Sequence, residues 1–176
     1  MNKLKCTAFV PYILEQSRTV CLDYRHEFVM PEHFLLAMIS NDFTCKVLDR
    51  YTKIELLAQG VKEYIKSLDR IPECDVWYPE YSAQFSEMVH EALKLAMQNG
   101  DDCVCLGHLV RAMLDLRDSW AAFLLKQNLF HQNDKQNLAD ALTKATDFDG
   151  KCGYEHEVSR DCASYYNDDD FNEEFY

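Results

Sequence analysis

Glu27-Phe28-Val29-Met30-Pro31-Glu32-His33-Phe34-Leu35-Leu36-Ala37-Met38 returns 75 residues later as Asp102-Cys103-Val104-Cys105-Leu106-Gly107-His108-Leu109-Val110-Arg111-Ala112-Met113. Val, His, Ala and Met recur in place, an acid opens each copy, and Phe34 and Leu35 are answered by Leu109 and Val110. An internal repeat of this length implies two copies of one supersecondary unit, each burying its apolar face against the other. Working outward, Ile13, Leu14, Val20, Cys21 and Tyr24 recur near one face of a helix expected from about Val10 to Tyr24. Pro31 suits the first position of a second helix running to about Asn41. Phe43 to Tyr51 and Ile54 to Leu68 complete repeat 1, about residues 8–69.

Arg70 to Tyr81, with Pro72, Pro79 and several acids, reads as a connector anchored by Trp77 and Tyr78. Ser82 has the short hydroxyl of an N-cap, and the helix behind it carries Phe85, Met88, Val89, Ala92, Leu93 and Ala96 before Asn99-Gly100 ends it. Leu106 to Leu116, Ser119 to Asn128 and Asp134 to Thr146 then repeat the earlier order. One inserted residue sets Phe123 and Leu124 opposite Val47 and Leu48. Repeat 2 spans about 82–146, so the expected fold is all-α: eight helices in two pseudo-symmetric fours within one domain, residues 1–146.

Composition agrees, because the 176-residue chain holds only five Gly and four Pro and is 48% hydrophobic. The formal net charge of -12 is unevenly placed, with ten acids against two bases in residues 147–176 and 20 against 16 in the body. That tail has no helical period and reads as a flexible acidic linker, although its seven aromatics suit docking to a partner. No basic stripe interleaved with aromatics appears, so nucleic acid is not an expected partner. No apolar run is long enough for a membrane span or signal, and eight scattered cysteines in a chain with its own core point to reduced, cytoplasmic thiols.

The candidate chemistry is sparse. No Gly-x-x-x-x-Gly-Lys-Ser/Thr loop exists to cradle nucleotide phosphates, and Met30 stands where a zincin helix begun at His26 needs its second His. Cys103, Cys105 and His108 are three ligand types in six residues, but repeat 1 places Phe28 and Met30 opposite the two cysteines. Burial as small hydrophobes therefore outweighs a metal site, and a Cys-His nucleophile pair has no further mark of acyl transfer. His33 and His108 sit at equivalent places in the first turns of their helices and are read as structural, bonding backbone groups of the preceding turn. Glu27 and Glu32 form an acidic pair where loop meets helix, suited to dipole compensation or to a protein partner. Gly107 replaces the second acid in repeat 2, which suggests that Glu32 is free of a structural duty. No catalytic residue, metal or cofactor is expected.

The strings His26-Glu27-Phe28 and Glu32-His33-Phe34-Leu35-Leu36-Ala37-Met38, with Ser82 to His108 and Ala121-Ala122-Phe123-Leu124-Leu125, resemble the Clp amino-terminal domain, especially that of ClpA-type AAA+ unfoldases. The resemblance covers about residues 8–146. It implies a monomeric, non-catalytic docking domain of an ATPase that feeds the ClpP peptidase, receiving a ClpS-type adaptor and substrate proteins. It places Glu27 and Glu32 at the adaptor contact, with Tyr81 and Ser82 beside them. Met30 departs from the usual Thr or Ser cap, leaving Pro31 to set the turn. With the ATPase modules outside this sequence, the expectations divide between an excised unfoldase domain and a free-standing protein that itself binds adaptors or exposed apolar segments. A metal-binding helical protein is the remaining alternative.

Overall fold

The computed structural model describes residues 3–146 and 154–157. Among them are eight helices: α1 (Phe9–Asp23), α2 (Pro31–Ser40), α3 (Asp42–Asp49), α4 (Ile54–Ser67), α5 (Ala83–Asn99), α6 (Leu106–Asp115), α7 (Trp120–Asn128) and α8 (Asp134–Thr146). Every expected helix is present with ends shifted by a residue or so, and α1–α4 repeat as α5–α8. Most residues of α2 and α6 are buried, including Phe34, Leu35, Met38, Leu109 and Met113 at 0% exposure. These two helices carry the repeated sequence, and they form the centre because a helix apolar on nearly all faces has to be surrounded. Helices α1 and α4 pack on α2, α5 and α8 on α6, and the contacts of α4 with α7 and α3 with α8 join the repeats. Phe34 meets Phe85 edge-on across the repeats, with ring centroids 6.5 Å apart.

Four short strands, which the helical pattern gives no sign of, complete the described residues: β1 (Lys3–Cys6), β2 (Phe28–Val29), β3 (Glu80–Tyr81) and β4 (Tyr154–Glu157). They exchange between repeats. β3, which leads into α5 of repeat 2, pairs in parallel with β2 of repeat 1, setting Tyr81 beside Val29. Reciprocally Cys6, ahead of α1, bridges Val104 of repeat 2, with Val104 N donating to Lys5 O at 3.0 Å and Thr7 N to Val104 O at 2.9 Å. Each repeat thus lends its leading segment to the other. The acidic tail lies outside the described residues apart from β4, which runs antiparallel to β1 with Lys3 opposite Glu157.

The equivalence persists in detail. Gly100 follows α5 with φ 76°, and Arg25, its counterpart after α1, takes φ 58°. The closing bonds match: Arg25 N to Leu22 O and His26 N to Cys21 O in one repeat, Gly100 N to Met97 O and Asp101 N to Ala96 O in the other. Left-handed backbone is costly for a residue with a Cβ, and the Arg25 side chain offsets that cost by holding the connector. Its guanidinium donates to the carbonyls of Ile71 (2.9 Å) and Asp75 (3.1 Å) and lies 4.5 Å from the centre of the Trp77 ring. Trp77 Nε1 in turn donates to His26 O at 2.9 Å, which makes it the connector's anchor.

Gly107 also has a structural explanation. A Cβ there would lie 2.0 Å from Thr143 Oγ1 and 2.4 Å from Ala139 O, because α8 crosses α6 at this point. The second acid is missing from repeat 2 because no side chain fits. Gly107→Ala is expected to lower stability by about 3 kcal/mol, the upper range for overpacking, since the obstructing oxygen of Ala139 belongs to backbone. Urea denaturation checks this.

Candidate partner-docking site

The residues expected at a docking surface divide into two groups. Glu27, Tyr81 and Ser82 come together through β2 and β3, although the connector separates them in sequence: Glu80 N donates to Glu27 O at 3.1 Å and Ser82 N to Val29 O at 3.0 Å. Glu27 and Glu80 are exposed, Phe28 is 40% exposed and Tyr78 is 75% exposed. Tyr81 is half-buried, stacked on Phe85 with centroids 4.8 Å apart, and the Arg18 guanidinium sits 5.0 Å from the Tyr78 ring centre and 5.1 Å from that of Tyr81. Ser82 is the expected N-cap, its hydroxyl accepting from Phe85 N at 3.1 Å, so its oxygen is committed to α5. The surface is therefore an acidic and aromatic strip on a hydrogen-bonded frame. Phe28, Tyr78 and Glu80 belong to it and are additions to the sequence reading, which lacked the strand pairing that aligns them.

Glu32 stands apart, and the expectation that it is free of structural duty is corrected. It is 2% exposed, and its Oε1 accepts from Ala121 N at 2.9 Å and faces Ser119 Oγ at 3.5 Å. The carboxylate caps the N-terminus of α7, where free amides and the helix dipole favour a negative charge. The acid nearest the helix is spent across the interface between repeats, and only Glu27 faces solvent. Glu32→Leu is expected to cost about 2 kcal/mol, chiefly by leaving the buried Ala121 amide unpaired. Thermal unfolding measures the loss.

Behind the strip lies the histidine frame. Met30 is the N-cap of α2 and has no side-chain oxygen, and His33 at the third helical position supplies the reciprocal bond of a capping box, its Nδ1 accepting from Met30 N at 2.9 Å. That bond puts the proton of a neutral His33 on Nε2, which donates to His26 Nδ1 at 2.8 Å. His26 Nε2 is buried and has no partner among the described residues. Repeat 2 uses the same frame, with Cys105 N donating to His108 Nδ1 at 3.2 Å and His108 Nε2 bonding Asp101 Oδ2 at 3.0 Å. Asp101 is the counterpart of His26. His33 and His108 therefore both close the first turn of a central helix by accepting a hydrogen bond from a backbone amide.

Burial, and then the neighbouring His26, push His33 down to about 3. Burial and Arg70 lower His26 as well. A histidine depressed in the folded state is neutral there and gains its proton on unfolding, so its stabilisation is full above the unfolded value of about 6.5 and falls away below it. His108 is raised, so its contribution is full below the unfolded value and fades as pH rises above it, which opposes the His33 loss between pH 7 and pH 5. Stability is expected to fall by about 2 kcal/mol for His33 between pH 7 and pH 5. Urea titrations at both pH values test this, and His33→Gln should flatten the profile.

Two other features bear on binding. A polar cleft of about 290 Å³ lies between α1 and the α2–α3 junction, lined by Tyr12, Gln16, Val20, Ala37, Ser40, Asn41 and Asp42. Among the described residues no group of three or more His, Cys, Asp or Glu is arranged to hold a metal ion, and no helix is long and apolar enough to cross a membrane. Among the described residues no disulfide joins Cys6, Cys21, Cys45, Cys74, Cys103 or Cys105 to another.

Two four-helix units with interchanged leading strands and an exposed strip at their junction define a double-repeat, all-helical domain class. The sequence profile described as the Clp repeat (R) N-terminal domain matches residues 5–128, and the chain belongs to that family. The fold is similar to the Hsp104 N-terminal domain from Candida albicans, at 17% identity and TM-score 0.64, over 82% of this chain and 93% of that one. It is also similar to the N-domain of ClpV from Vibrio cholerae, at 23% identity and TM-score 0.61, over 79% and 86%. A complex of a ClpV N-domain with a VipB peptide is 26% identical, with TM-score 0.58 over 79% and 88%. No curated protein sequence matches the chain.

Proposed function

We propose that this domain docks a ClpS-type adaptor and substrate proteins for a ClpA-like ATP-dependent unfoldase working with a ClpP-type peptidase in the cytoplasm. The supporting observation is the strip in which Glu27, Phe28, Tyr78, Glu80 and Tyr81 share one surface, offering carboxylates and aromatic faces on a rigid frame. Such a surface suits a partner presenting amides or bases around an apolar anchor, because aromatic groups carry most of the energy of small interfaces. Membership of the Clp N family, and the VipB peptide held by a related ClpV N-domain, support peptide or adaptor binding as the general mode. The ClpS-type partner rests on the resemblance at His26-Glu27-Phe28. Glu27 is the contact acid in this reading, with Tyr81 contributing its ring, while Glu32 and Ser82 act from behind by holding α7 and α5.

Calorimetric titration with a ClpS-type adaptor tests the reading. Saturable binding is expected to weaken by about tenfold in Glu27→Lys, as a reversed contact charge of roughly 1.4 kcal/mol would give. Phe28→Ala should also weaken it, while Asp140→Lys on the opposite repeat should not. No binding by the folded wild-type chain would overturn the adaptor assignment and leave direct capture of substrate segments.

A further inference from the structure

Cys105 is the N-cap of α6, the place Met30 holds in repeat 1. Its sulfur lies 3.3 Å from His108 Nδ1 and 3.3 Å from Thr143 Oγ1 of α8. Across the same imidazole, His108 Nε2 is 3.0 Å from Asp101 Oδ2 and 3.4 Å from Asn99 Nδ2. A thiol, an imidazole and a carboxylate are thus in line, each bonded to the next. Repeat 1 keeps the scaffold with Met30, His33 and His26 and has neither the nucleophile nor the carboxylate. Repeat 1 closes the same turn with Met30 and His26, so the turn by itself does not require a thiol and a carboxylate at these two places.

We propose that Cys105 is an activated thiol, with His108 as its base and Asp101 orienting the imidazole and stabilising its charged form, and that it is modified by small peroxides. The sulfur lone pair attacks one peroxide oxygen, forming an S–O bond as the O–O bond breaks. The thiol proton passes to the lone pair of His108 Nδ1, giving up its 3.2 Å bond from the Cys105 amide, and on to the departing hydroxide, which leaves as water. With hydrogen peroxide as the oxidant, sulfur loses two electrons and Cys105 becomes a sulfenic acid.

The surroundings favour the thiolate. Burial pushes the thiol up, but the hydrogen bonds from His108 and Thr143 outweigh it and the net direction is down. His108 is raised, first by its bond to Cys105 and then by Asp101, against burial. The amides at the start of α6 act in the same sense, as helix N-termini do for reactive cysteines. The titratable group facing the sulfur is His108, with the Thr143 hydroxyl of α8 beside it, while Asp101 and the Asn99 amide of α5 reach only the far nitrogen of the imidazole. Cys21 shows the opposite environment in the same fold, with burial raising it to about 12. Cys105 is 3% exposed, which restricts reagents to the size of a peroxide. Its cover is the last turn of α8, where helix ends open readily, and the Asp101 side chain beside it is 49% exposed.

The test is oxidation of the full chain with hydrogen peroxide across a pH series, trapping sulfenic acid with dimedone and locating it by peptide mass spectrometry. Cys105 is expected to label with a pH midpoint below the ordinary thiol value of about 8.5, with exposed Cys74 as the reference thiol in the same chain. Asp101→Asn should raise the Cys105 midpoint by about one pH unit, roughly a tenfold slower reaction below it, and leave Cys74 unchanged. If circular dichroism shows that this variant unfolds, Thr143→Val is read in its place for a shift in the same direction. Cys105 unlabelled while Cys74 reacts, a shared midpoint, or an unmoved midpoint in a folded variant would each overturn the proposal.

Discussion

The constraint on which the rest of the structure depends is the burial of α2 and α6 on nearly all sides. A helix so enclosed cannot leave its first amides to water, and an unpaired buried amide costs about as much as a lost hydrogen bond. His33 and His108 meet that need by accepting the amide of the N-cap residue on Nδ1. The opposite ring nitrogen must then be satisfied too, which brings in His26 in one repeat and Asp101 in the other. From that point the repeats diverge in chemistry while keeping one backbone. Repeat 1 acquires a neutral histidine pair, and repeat 2 a carboxylate, an imidazole and a thiol.

The same logic explains the interchange of leading strands. β2 and Val104 lie just ahead of the central helices, and each is paired by the segment that enters the other repeat. Neither repeat can complete its own hydrogen bonding alone, so the halves are joined by backbone as well as by apolar contact. Glu32 adds a third link by crossing from α2 to the start of α7. The docking strip is a by-product of this joinery, since the pairing of β2 and β3 is what places Glu27 and Phe28 beside Glu80 and Tyr81.

Much of this was legible in the residues. The repeat of Val, His, Ala and Met, the apolar periodicity around it, Pro31, Ser82 and Gly100 locate all eight helices, because helix boundaries are set by local chemistry. The structural reading of His33 and His108 follows from their equivalence in two otherwise diverged copies. Glu32 was misread because a buried acid at a helix start has the same sequence signature as an exposed one. Gly107 in place of the second acid suggests by sequence that Glu32 has no structural duty, whereas the glycine is the space that α8 requires. The strands were invisible, since two to four residues carry no usable period and their partners lie in the other repeat.

By itself the sequence determined the family, the helix order and the doubling, since these rest on short-range periodicity and capping and on a repeat readable along the chain. The tertiary structure alone decided which acids face solvent, where the connector returns, and that Cys105, His108 and Asp101 form one bonded line. The physical reason is that burial and hydrogen-bond partnership belong to pairs of segments brought together in space, and nothing in either segment specifies its partner.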